Sequence, residues 1–400
     1  MPALRDLIAG PWRAVLVLGI TQILAWGTIF YPPVLTVPLI ADARGWSMSF
    51  AMGGFSLALL TAGLVSPRVG RLIDRHGGHW VMPIGSLLAA LGLALLVYAA
   101  HPAAYLAVWA LLGVATAATL YDPAFATLGR IFGVAARRPI TVLTLAGGFA
   151  STVSWPVTHL LLDAVGWQGT YLVYAAVLAL LAAPLHAFAL PRRRADSALP
   201  PDQPAQASTA VLPSTGWSFL LVAAAFAAYA FVPSGLSAHL LAIFGRAGID
   251  AATVVAIGAL FGPAQVAARI GELVFARGIH PLQLARFAVA MLLAAFALLA
   301  LVGLSVPAAA GFAVMFGMAN GLLTIARGAV PLALFGAAGY GRIIGRIGGP
   351  YLVMQAIAPL ALAFVAERTS DPMVLAVVAA FAAISFIGFV AVRRPKPRPD

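Results

Sequence analysis

Two ionisable residues stand in stretches of sequence that ought to exclude them. Asp122 lies in "ATLYDPAFA" and Arg327 in "LLTIARGAV", with apolar residues on both sides of each. A carboxylate placed this way can take up and release a proton, and a guanidinium can hold an anionic group. Tyr121 adjoins Asp122, and Pro123 follows it, removing a backbone donor and loosening the helix there. Asn320 stands seven residues before Arg327, on one helix face with it, and Gln22 and Trp26 are one helical turn apart. Arg269 and Glu272 are three apart and share a face. Arg269 suits an anion, or alternatively stretches its long side chain to the aqueous boundary. Asp122, Arg327, Arg269, Tyr121, Trp26, Gln22 and Asn320 are therefore the candidate residues for binding a substrate or a proton. His159 and His239 read as ordinary histidines near span ends. No nucleophile elbow, phosphate-cradling loop or His-Glu-x-x-His pattern occurs, so neither an enzyme nor an ATP-driven pump is expected. No cofactor or metal site is expected either.

These residues need elements to position them, and composition says what kind. Of 400 residues, 62% are hydrophobic and 9% charged, with a mean hydropathy of +0.99. Soluble domains carry about 25% charged residues, so the solvent for this chain is a lipid bilayer. The net charge is +12, but the charges sit in short clusters between apolar runs, not on one basic face, which speaks against nucleic acid. Cysteine is absent, which removes disulfides and thiolate sites. A bilayer core takes about 20 apolar helical residues. Such runs fall near 13–37, 47–68, 80–100, 104–129, 139–162, 168–190, 217–243, 251–276, 282–304, 307–334, 341–366 and 372–392. The first is long enough to span and reads as a retained helix, not a signal peptide. No run alternates as a barrel strand would.

Of the 24 Lys and Arg residues, all but Arg44, Arg246 and Arg368 fall on one side if the runs alternate across the membrane. The positive-inside rule then puts both termini in the cytoplasm. Only Lys396 is a lysine; that bias fits a GC-rich coding sequence and a bacterial inner membrane. Residues 191–216, "PRRRADSALPPDQPAQASTAVLPSTG", are rich in Pro, Ala and Ser and read as a cytoplasmic linker. They divide the chain into a bundle of six helices at 1–190 and another at 217–400 with a short basic tail. Gly70 to Gly77 after the second run and Gly271 to Gly278 after the eighth share their spacing and a Leu, which favours two related bundles.

One interruption carries more information. "GRLIDRHGGHW", Gly70 to Trp80, packs charges and glycines into the turn between the second and third runs. Glycine permits such a turn, and Asp74 is placed to sit near helix N-termini and pair with an arginine. The stretch resembles the loop signature of the major facilitator superfamily, Gly-x-Leu-x-Asp-Arg-x-Gly. The resemblance covers essentially the whole chain, since twelve spans, a six-plus-six division and cytoplasmic ends match it too. It implies an all-α integral membrane fold of two six-helix bundles that rock about a midplane site. It also implies that Gly70, Asp74, Arg75, Gly77 and Arg130 form an inner gate. In that gate Asp74 meets the start of the eleventh span, at "GYGRIIGRIGGP", and Arg130 is its second partner.

Within the superfamily, "WGTIFYPPVL", "GWSMSFAMGGFSLALLTAGLVSPRVGRLIDRHG" and "VGWQGTYLVY" look more like the monocarboxylate and oxalate–formate branch. Drug–proton antiporters carry an arginine in the fourth span where this chain has Trp109, and a Gly-Pro in the fifth where it has Trp155-Pro156. The reading is therefore a monomeric secondary transporter of a small, anionic organic solute, coupled to protons. An exporter of drugs or metalloids and a transporter-like sensor are the alternatives.

Overall fold

A computed structural model describes residues 10–192, 213, 216–276 and 278–393, apart from the side chain of Ala238. Most of the linker expected at 191–216 lies outside the described residues. The described chain is helical: α1 Arg13–Ala25, α2 Pro33–Arg44, α3 Met48–His76, α4 Gly78–Tyr98, α5 Pro102–Thr119, α6 Tyr121–Phe132, α7 Arg137–Gly147 and α8 Ala150–Val177. After these come α9 Trp217–Arg246, α10 Ala251–Ala259, α11 Phe261–Phe275, α12 Pro281–Val302, α13 Val306–Phe335, α14 Tyr340–Ala366 and α15 Asp371–Ala391. Ten helical segments among the described residues are long and apolar enough to cross a bilayer. One of them, 102–189, is 88 residues long. A straight helix of that length would reach about 130 Å, some four times a bilayer core of about 30 Å. The segment is in fact broken at Gly133 (φ 56°, ψ −133°) and Gly166 (φ 68°, ψ −179°), backbone that only glycine adopts without strain.

The helices form two compact units. One comprises residues 1–207 and 337–349, the other 208–336 and 350–400. Helix α14 thus contributes its first turns to the first unit and the rest to the second, with the border at Gly349–Pro350.

In the first unit, α3 packs on α5, α5 on α4, and α1 on α7. The turn from α2 to α3 shows how locally the sequence is specified. Gly45 (φ 65°) ends α2, with the Trp46 amide donating to the Ala41 carbonyl (2.9 Å) and Gly45 to Asp42 (3.2 Å). Ser47 then caps α3 by accepting from the Phe50 amide. Arg44 lies over the rings of Trp46 and Trp167 and donates to the Leu96 and Val97 carbonyls, closing the exposed end of α4.

In the second unit, α13 packs on α12 and α11, and α9 on α15. Asp250 caps α10 through the Thr253 amide (3.0 Å). Bonding with Thr253 holds that exposed carboxyl below the ordinary range.

Candidate functional site

In the first unit the site begins with a broken helix. Pro123 has no N–H to offer the Thr119 carbonyl four residues earlier, and its ring crowds that carbonyl. The chain breaks at Leu120 (φ −80°, ψ −154°), so α5 ends at Thr119 and α6 starts at Tyr121. Asp122 therefore sits in the first turn of a new helix, not in the middle of an unbroken span. A carboxylate is favoured there by the helix dipole. The freed carbonyl does not go unsatisfied: Gln22 donates its amide N–H to Thr119 (2.7 Å) and also reaches the Leu120 carbonyl (3.4 Å), which accepts the Ala124 amide as well (3.3 Å). Gln22 accepts in turn from the Trp26 indole N–H (3.1 Å), and the Trp26 ring lies 5.0 Å from that of Tyr121. Trp26 opens a π-helical turn, Trp26–Phe30, that brings Phe30 and Tyr31 beside the same indole.

Asp122 is 6% exposed. It lines a small pocket with Ser66, Gly70, Ile344 and Gly345, and a methyl group on Gly348 would collide with its Oδ2. The Ser66 hydroxyl is buried and makes no hydrogen bond among the described residues. Two helix backbones meet here. A Cβ at Gly349 would lie 3.0 Å from the Gly63 carbonyl, and one at Gly341 would lie 2.5 Å from that of Gly70. Small residues spaced three and four apart permit this crossing.

The loop signature occupies the end of the same crossing. Asp74 accepts from the backbone N–H of Gly341 (2.8 Å) and of Arg342 (2.7 Å), the open amides at the start of α14. Arg130 donates to the main-chain carbonyls of Ile73 and Asp74, closing the C-terminal end of α3. Gly77 turns the chain with φ 86°, and its amide donates to Ile73 (2.8 Å). Arg75 is exposed beside it.

In the second unit, the Arg327 guanidinium lies 4.1 Å from the centre of the Tyr351 ring. Asn320 accepts from the Tyr229 hydroxyl. Arg269 is 3% exposed and donates to Gln265 on its own helix (3.2 Å), so its side chain does not reach outward to water. Tyr229 lies within electrostatic reach of Arg269, Arg327 and Tyr351. The described residues hold no cluster of His, Asp and Glu suited to a metal ion.

The family model of the Major Facilitator Superfamily matches residues 15–321. The chain belongs to that superfamily. Its fold agrees: the crystal structure of the human organic anion transporter MFSD10 (TETRAN) superposes with a TM-score of 0.71 at 17% identity, over 97% of this chain and all of that one. The major facilitator FucP, in its outward conformation, gives 0.68 at 13% identity, over 95% and 98%. At such identities the likeness speaks for the fold alone. Human monocarboxylate transporter 11 is 35% identical over 127 residues, 30% of this chain, and the match spans only 26% of that protein's length. This chain is therefore an all-α, multi-pass membrane protein of a family that moves small molecules across bilayers and is not enzymatic.

Sequence reasoning missed three features of this major facilitator. Tyr351 and Tyr229 were not singled out beside Arg327 and Asn320, because those pairs join residues far apart in sequence. His186 went unremarked in "PLHAFAL". It is buried, with Nδ1 bonded to Ser86 (3.1 Å) and Nε2 to Thr21 (2.8 Å), tying α1 and α4 to the π-helical turn Leu185–Ala189. Its signal was available: a lone imidazole in an apolar run needs partners.

Proposed function

We propose that the chain is a proton-coupled secondary transporter of a small organic anion, a monomer in a bacterial inner membrane. Alternating access is the mode, with the loop signature at Gly70, Asp74, Arg75, Gly77 and Arg130 as the inner gate. The breaks at Gly133 and Gly166 in the 88-residue segment support a reading of twelve spans, and the arginine bias argues for cytoplasmic termini. The observation that carries the anion is Arg327, held over Tyr351 with Arg269 and Tyr229 nearby. A guanidinium presents a planar fork of N–H donors whose geometry matches a carboxylate. The sequence match to a protein named monocarboxylate transporter 11, over 127 residues, supports the same reading.

The test is thermal stabilisation of the purified protein by a panel of short mono- and dicarboxylates and their neutral amides. At least one acid should stabilise it where the matching amide does not. Arg327→Lys keeps the charge but loses the fork and the ring contact. A charge-assisted hydrogen bond is worth about 1.5–3 kcal/mol, so affinity should fall at least about tenfold. Arg368→Lys, at an exposed site, should leave it unchanged. Equal stabilisation by acid and amide, or full affinity in Arg327→Lys, would refute the anion site.

A further inference from the structure

The far end of α3 carries two exposed arginines, Arg68 and Arg71, that neither the gate nor the anion site uses. Arg68, Arg71, Arg75 and Arg342, with Leu72 and Asp74, line an open groove of about 680 Å³ within the first unit. All four arginines are exposed. Among the described residues none of Arg68, Arg71 and Arg75 makes an ion pair. Asp74 is the one acid in the groove, and its two oxygens are taken by the Gly341 and Arg342 amides. With one carboxylate against four guanidinium groups, the groove carries a net positive charge, which calls for an anion.

The surroundings indicate which anion. Positions 64, 68, 71 and 75 follow the helical spacing of one face. Leu64, one turn before Arg68, is 62% exposed. The same face therefore runs from an apolar strip into a cluster of guanidinium groups. Trp80, in the first turn of α4, is 63% exposed, and tryptophan is enriched where side chains meet lipid headgroups. A free phosphate would match the guanidinium groups but not the strip. A phospholipid matches both, its phosphate among the arginines and an acyl chain along Leu64.

We propose that this groove binds the phosphate of an anionic membrane phospholipid. The phosphate oxygens accept hydrogen bonds from Arg68 and Arg71, and Arg75 and Arg342 complete the positive field. Occupancy places a lipid directly beside Asp74 and the start of α14.

The experiment counts lipids retained by the full-length protein in detergent, by native mass spectrometry, during titration with phosphatidylglycerol or with phosphatidylcholine of the same acyl chains. Phosphatidylglycerol should bind about tenfold tighter or better, with a preference that shrinks as salt rises. An arginine near an anionic lipid contributes about 1 kcal/mol, so Arg68→Gln with Arg71→Gln should weaken phosphatidylglycerol binding about 30-fold. Arg68→Lys with Arg71→Lys should retain most of it. Equal affinity for the two lipids, or no loss in the double Gln variant, overturns the proposal. Displacement of phosphatidylglycerol by millimolar inorganic phosphate also overturns it, assigning the groove to a soluble phosphate. If the double Gln variant does not fold, the lipid preference of the wild-type protein and its salt dependence decide alone.

Discussion

Asp122→Asn is expected to abolish accumulation driven by a pH gradient while leaving substrate exchange between equilibrated compartments. Asparagine keeps the size and hydrogen-bonding reach of the carboxyl but never changes charge. Coupling to protons needs a group that changes charge during the cycle, in a place where that change alters packing. Asp122 meets the second condition through its neighbours. Its Oδ2 lies against Gly348 of α14, two residues before the border at Pro350, and the Ser66 hydroxyl lines the same pocket. A buried charge is costly unless it is compensated, so gain or loss of a proton here alters how well that turn of α14 fits. Exchange needs no net proton movement and should persist. The readouts are gradient-driven uptake and counterflow in the same vesicles. Intact gradient-driven uptake in Asp122→Asn would end the proton role. Loss of folded protein would identify a structural carboxylate.

Asp74→Asn should cut transport by an order of magnitude or more without harming insertion. The ionised carboxylate accepts two backbone N–H groups at the start of α14. Asparagine offers one acceptor oxygen, and its own N–H₂ faces the second amide. The variant therefore loses one hydrogen bond and the charge that favours a helix N-terminus, together about 2 kcal/mol. That is roughly a 30-fold change in the balance between the docked and undocked arrangements of these turns. In the proposed alternating-access cycle this contact is made and broken once per turnover, so a bias of that size should slow turnover. Uptake measured at matched amounts of inserted protein checks it. Wild-type rates in Asp74→Asn would remove Asp74 from the gate.

Much of this was legible in the sequence because a bilayer constrains a chain so strongly. The apolar runs come straight from composition and spacing; of the stretch Gly70 to Trp80 read as a turn, Gly70 to His76 is still helix α3 and only Gly77 turns the chain. Other parts depend on contacts distant in sequence. "YDP" announced a weakened helix, but the break fell at Leu120 because the orphaned carbonyl belongs to Thr119. Gln22 and Trp26 shared a face on inspection, yet only folding brings Gln22 to that carbonyl. Arg269 could have reached outward or stayed inside, and the sequence left both open; packing turned it inward. The joints at Gly133 and Gly166 fall in the gaps that the apolar runs leave at 130–138 and 163–167.

The central claim is proton-coupled movement of an organic anion. It is tested most directly by reconstituting the purified protein in vesicles with a radiolabelled carboxylate from the stabilising set and imposing a pH gradient without a membrane potential. The account requires accumulation above equilibrium that collapses when a protonophore dissipates the gradient, and that is absent in empty vesicles. Equilibration of the label at the same rate and to the same level with and without the gradient would contradict it.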